Sequence, residues 1–182
     1  MIEKHIEASL LNGPDDPQVV ATASLACRVG GDHSAALHLA EQAYALNSGS
    51  SFTQMVLGAA KVASGDLEEA EELLNLSIRL DPFSPNRTLQ VGYLAAIQFA
   101  RRDFAQAAAF ANEAIRYSLS PPISALLVSA LGHLGQHEKA QKALNSLEER
   151  ASISFDSAAA TFFLDEDNIA LFHEGIAKAR AQ

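Results

Sequence analysis

Apolar side chains along this chain recur three and four positions apart, in stretches of about a dozen residues, which is the period of a helix with one buried face. Sustained apolar–polar alternation is absent, so the pattern places no strand. The stretches are separated by turn signals: Gly13-Pro14, Gly30-Gly31, Ser48-Gly49-Ser50, Gly65-Asp66, Asp81-Pro82, Ser120-Pro121-Pro122 and Gly135-Gln136. Between these breaks the pattern predicts four helix pairs: 17–29 with 33–46, 51–64 with 67–80, 86–101 with 104–117, and 121–134 with 137–150.

The pairs repeat one signature. A turn is followed by a polar residue and, four positions on, by alanine: Gly31-Asp32 with Ala36, Gly65-Asp66 with Ala70, Arg102-Asp103 with Ala107, and Gly135-Gln136 with Ala140. The alanines are spaced by 34, 37 and 33 residues. A period near 34 with two helices per unit resembles the tetratricopeptide repeat (TPR). The stretch LGAAKVASGDLEEAEELLNLSIRLDP, within residues 51–82, carries the resemblance best. Each residue type there has a physical reason. Gly58 and Ala70 are small and let two helices approach. Gly65 accepts the left-handed conformation that closes a helix. Asp66 is expected to cap the second helix, and Pro82 to stop it. The third unit departs by three extra residues around Phe83-Ser84-Pro85-Asn86-Arg87 and by Ala95 in place of glycine. The insertion is expected in the first helix or in the turn before it.

The resemblance implies an all-α fold, a right-handed superhelical TPR solenoid of antiparallel helix pairs. Four repeats are expected over about 17–50, 51–84, 85–120 and 121–154, with a C-terminal helical capping segment over 155–182. Ile2, Ile6 and Leu10 have the phase of the trailing helix of a truncated repeat over 1–16, so the chain reads as a piece of a longer array. Near the other end, Ile169, Phe172 and Ile176 mark a final helix that would cover the last repeat.

Composition narrows the function. Ala and Leu dominate, which favours helix, and 48% of residues are apolar, too many for a disordered chain. The net charge is −9, from 13 basic and 22 acidic residues, which argues against nucleic acid as a partner. Residues 1–91 hold 12 acids and 5 bases, a net of −7, and residues 92–182 hold 10 and 8, a net of −2. That asymmetry points weakly to a basic partner or neighbouring domain. No apolar run approaches the ~18 residues of a membrane span, and the N-terminus lacks a signal-peptide core. A cytoplasmic location without membrane insertion is expected.

Catalytic chemistry finds little support. The sequence has no phosphate-binding glycine loop, no GxSxG and no HExxH. His133 and His137 are four apart, but Gly135-Gln136 between them is a turn, so no metal site is expected. Cys27 reads as a small buried apolar residue. Glu68, Glu69, Glu71 and Glu72 read as a solvated helix face. No enzyme activity and no cofactor are expected.

TPR arrays bind on the concave face made by the first helix of each pair, so the resemblance implies a partner protein or peptide there. The residues carried over to that groove are Phe52, Gln54, Met55, Val62, Leu89 and Phe99, with Gln90, Gln98 and Arg101 at the rim. The Lys/Asn/Arg set that clamps a C-terminal carboxylate in some TPR proteins is missing. The apolar groove residues have two open uses: docking an amphipathic helix or extended segment, or packing against a neighbouring repeat or the C-terminal segment. Self-association is a further possibility. The tail Phe172-His173-Glu174-Gly175-Ile176-Ala177-Lys178-Ala179 and the segment 80–87 also resemble the C-terminal TPR region of bacterial class III adenylate/guanylate cyclases. That resemblance implies a regulatory or scaffolding part of a larger bacterial signalling protein. The alternative is a free-standing TPR adaptor for complex assembly.

Overall fold

The structure, a computed structural model, describes residues 13–181. The expected trailing helix of the truncated repeat falls almost wholly on residues 1–12, outside the described residues. Among the described residues there are ten helices and no strand. In chain order they are α1 Pro17–Val29, α2 His33–Leu46, α3 Ser51–Ser64, α4 Leu67–Leu80, α5 Arg87–Ala100, α6 Phe104–Tyr117, α7 Pro121–His133, α8 His137–Arg150, α9 Phe155–Ala160 and α10 Glu166–Arg180. The chain divides into two compact units, Met1–Asn86 and Arg87–Gln182.

The turn inside each helix pair is the same object four times. Gly31, Gly65, Arg102 and Gly135 take positive φ (87°, 87°, 66° and 66°). The next amide donates to the carbonyl five residues back: Asp32 to Cys27 (3.0 Å), Asp66 to Lys61 (3.0 Å), Asp103 to Gln98 (2.9 Å) and Gln136 to Leu131 (3.1 Å). The left-handed residue itself donates three residues back, and together these bonds satisfy the carbonyls that a helix end orphans. Glycine takes this conformation at no steric cost, and of the four turns only that at Arg102 has a side chain bearing it.

The residue after each left-handed turn begins the next helix. The Asp32 carboxylate accepts from the Ala35 amide (3.0 Å), and that of Asp103 from the Gln106 amide (3.0 Å). Asp66 occupies the same place but makes no such cap bond, contrary to the sequence expectation. Its carboxylate is turned instead toward Lys61 Nζ (3.4 Å) and Ser64 Oγ (3.4 Å). The alanine four residues on is buried in all four pairs, with Ala36 at 2% exposure and Ala70, Ala107 and Ala140 at 0%.

In the first unit α1 packs on α2, α3 on α4, and α3 also on α1 and α2. Buried Ser24 donates across its pair to the Ala36 carbonyl (2.6 Å). At the matching position of the next pair, a Cβ on Gly58 would lie 2.9 Å from Leu74 Cγ and 3.3 Å from the Ala70 carbonyl. Small residues there set the spacing of each pair. Ser77 Oγ donates to the Ser51 carbonyl (2.7 Å), tying the open end of the α3–α4 pair. Helix α4 stops at Leu80, ahead of Pro82, and α5 has the same 14 residues as α3. Two of the three extra residues lie in the loop between α4 and α5, six residues long against four between α2 and α3, and the third lies after α5, where three residues precede α6 against two before α4. The two units divide at the end of the α4–α5 loop.

In the second unit α5 packs on α6, α6 on α7 and α7 on α8; α10 packs on α7 and α8, with α9 beside α7 and α10. Gly132 and Gly175 meet where α7 crosses α10. A Cβ on Gly132 would strike the Gly175 carbonyl, and one on Gly175 would strike Ser129. Ser129 Oγ donates to the Phe172 carbonyl (2.8 Å) at this crossing. Glycine here is a matter of backbone-to-backbone contact, not of turn geometry.

Candidate protein-binding faces

The groove residues read from the sequence fall in two separate units, Phe52, Gln54, Met55 and Val62 in the first and Leu89 and Phe99 in the second. On α3, Phe52 is half-buried, while Met55 (0% exposed), Val62 (2%) and Gln54 (2%) are buried. Gln54 Nε2 donates to the Ser48 carbonyl (2.7 Å), and its buried Oε1 has no hydrogen-bond partner. On α5, Leu89 is half-buried and Phe99 is fully buried.

Phe99 does not line a groove. Its ring centroid lies 5.3 Å from Phe104, 5.8 Å from Phe163, 5.9 Å from His133 and 6.2 Å from Phe172. The segment after α8 thus supplies Phe163 and Phe172 as its cover, the second of the two uses left open above. Edge and offset contacts of this kind add to the burial energy of each ring. Nearby, Tyr93 and Phe162 meet edge-on at 5.8 Å.

His133 belongs to the same cluster. Its ring stacks on Phe104 at 4.2 Å, with 9° between the planes. Nε2 lies 2.8 Å from the Leu171 carbonyl, so this nitrogen carries the proton and donates. Nδ1 then accepts from Lys178 Nζ at 3.4 Å. Lys178 also pairs with Glu174 at 2.7 Å, and that bond holds the Glu174 carboxyl below the usual range. The histidine is a fastener between α7 and α10.

Lys61 organises the polar side of the first unit. Its ammonium reaches Glu69 of α4 at 3.0 Å, Asp66 at 3.4 Å and Glu41 of α2 at 4.0 Å, with 15% of the side chain exposed. The hydrogen bond with Glu69 raises its pKa above the ordinary lysine value, against the opposing effect of burial. Glu69 stays exposed while paired with Lys61, and Glu68 and Glu72 are exposed beside it on α4. Cys27 is half-buried, less enclosed than the sequence reading has it. Burial and the nearby Asp32 raise its pKa, which keeps it a thiol.

Sequence reasoning missed two features. Phe83, in the insertion, is 96% exposed. Between α6 and α8, over α7, lies an open cleft with a leucine floor and a lysine edge. The first had a legible signal, an aromatic between two prolines. The second had none, because it needs three helices brought together.

Residues 30–87, from the first turn to the start of α5, match the tetratricopeptide repeat family model. The fold is a TPR fold. Solved structures agree at low sequence identity. The structure from the functional characterisation of Pseudomonas aeruginosa pilF shares 15% identity, covering 96% of this chain and 76% of its own, with a TM-score of 0.67. A thermophilic TPR protein of Thermus thermophilus shares 18%, covering 94% and 87%, with a TM-score of 0.69. The APC/C hetero-tetramer Cut9–Hcn1 aligns at 19% identity over 98% of this chain and 36% of that one, with a TM-score of 0.71. A search of curated proteins finds no sequence match. In TPR terms, Gly58 and Ala70 sit at the contact between the two helices of a repeat, as the motif requires. No helix among the described residues is long and apolar enough to cross a membrane.

Proposed function

We propose that this chain is a non-catalytic protein–protein interaction module, with four TPRs over 17–50, 51–84, 85–120 and 121–154 followed by a cap over 155–182. The observation that carries the reading is the TPR fold with apolar side chains left half-open at the start of two first-position helices, Phe52 on α3 and Leu89 on α5. Met55, Val62 and Phe99 serve the core, so the candidate contact contracts to Phe52 in the first unit and, separately, to Leu89 in the second. The likeness to a chain of the APC/C hetero-tetramer Cut9–Hcn1, a complex of proteins, supports the class of function.

The finer reading is a cytoplasmic regulatory or scaffolding part of a larger bacterial signalling protein, such as an adenylate cyclase. Its support is the resemblance of residues 80–87 and 172–179. Part of that tail has a local explanation here, since Gly175 is required by the crossing with α7. The test is affinity capture with wild-type, Phe52→Asp and Leu89→Asp baits, followed by titration of the purified captured protein. Each substitution is expected to weaken binding by roughly tenfold or more while the melting temperature holds. Undiminished binding by both variants contradicts the assignment.

A further inference from the structure

The loop between α4 and α5 holds Phe83 out in solvent and is itself well fixed. Pro82 and Pro85 flank the ring. The Phe83 amide donates to Asp81 Oδ1 (3.2 Å), the Ser84 amide to the Asp81 carbonyl (3.2 Å), and the Asn86 amide to Ser84 Oγ (3.2 Å). A phenylalanine displayed on a constrained turn loses little entropy when it is buried by another surface.

The other unit carries an open cleft. The cleft of about 500 Å3 between α6 and α8 has Leu127 and Leu131 on its floor, Ala105 and Ala109 on the α6 side, and Lys139 and Lys142 on the α8 side. It is open because alanines stand where larger side chains would fill the space. Its charged lining residues are both basic. The knob carries the opposite sign: Asp81 stands two residues before Phe83, and residues 1–86 hold 12 acids against 4 bases, a net of −8. Residues 87–182 hold 10 acids and 9 bases, a net of −1. Asp81 beside the knob and the two lysines at the cleft edge are thus opposite in sign.

We propose that the chain self-associates head to tail, with Phe83 of one copy seated in the α6–α8 cleft of a second copy and Asp81 facing the lysine edge. Such a contact uses two different patches, so each copy keeps one knob and one cleft free for further copies unless a ring closes.

The experiment is sedimentation equilibrium of the full chain over a wide dilution series, with folding of every variant checked by circular dichroism. The wild type is expected to associate reversibly and more weakly at high salt. Phe83→Asp removes the knob, and Ala109→Trp fills the cleft from an exposed position. Each is expected to weaken association by about 30-fold or more. A mixture of the two variants still has one intact knob and one intact cleft, so it should form a dimer and stop there. Lys139→Glu with Lys142→Glu should act like the cleft variant, and Val29→Asp, at another exposed apolar position, should change nothing. A wild type that is monomeric throughout overturns the proposal. So does association that survives either Phe83→Asp or the cleft variants, or a mixture that fails to pair.

Discussion

Arg102 shows how a single residue carries two opposed roles. Its left-handed backbone (φ 66°) costs about 1–2 kcal/mol relative to glycine. Its Nη1 donates to the Ala100 carbonyl and to Asn168 Oδ1 of α10, both at 2.6 Å. Arg102→Gly should therefore stabilise the protein more in an Asn168→Ala background than in the wild type, by about 1 kcal/mol. A double-mutant cycle on thermal or denaturant unfolding measures the difference, and equal effects in the two backgrounds would remove the second role. Gly132 is subject to a harder constraint. Gly132→Ala pushes a Cβ into the α10 backbone and should cost about 3 kcal/mol or more, read by the same unfolding assay. The left-handed glycines were legible in the sequence because Gly31, Gly65 and Gly135 recur at the same phase. The need for Gly132 and Gly175 was not, since it arises from two segments 43 residues apart crossing in space.

The eight helices of the four pairs were readable to within one residue at each end, because the turn inside each pair combines a left-handed residue with a polar starter; α9 was not read as a helix. Contacts between helices were readable only where the repeat dictates them. The Lys61 cluster is an example of what was hidden: α2, the α3–α4 turn and α4 all contribute a carboxylate to one ammonium. Lys61→Met should lower stability by about 1 kcal/mol at neutral pH. Because the folded pKa is raised, the native contribution of Lys61 is complete below the ordinary lysine range. It is lost as pH rises through the raised value, so the deficit of the variant should shrink there. Glu174 runs the other way. Its folded pKa is lowered, so its pairing with Lys178 contributes above the ordinary carboxylate range and fades as pH falls through the lowered value. Unfolding curves collected at acid, neutral and alkaline pH separate the two. The C-terminal cluster is a further case. Phe99 reads as a groove residue from its place in the repeat, but Phe163 and Phe172 cover it. Phe99→Ala should cost about 3–5 kcal/mol of stability, as a core truncation does.

At the scale of the whole molecule, a TPR fold organises surfaces for other proteins without naming them. Its first-position helices carry mostly core, and half-open apolar groups survive at Phe52 and Leu89. The fold was legible because repeats announce themselves at a fixed period. Which apolar residues stay open was not legible, because the same apolar spacing serves a groove or a core, and the choice depends on what packs above it. The most direct test is amide hydrogen exchange on the complex with the captured partner. New protection is predicted at the first turns of α3 and α5, around Phe52 and Leu89. Protection confined to α2 and α4, or none on either first-position helix, would contradict the account.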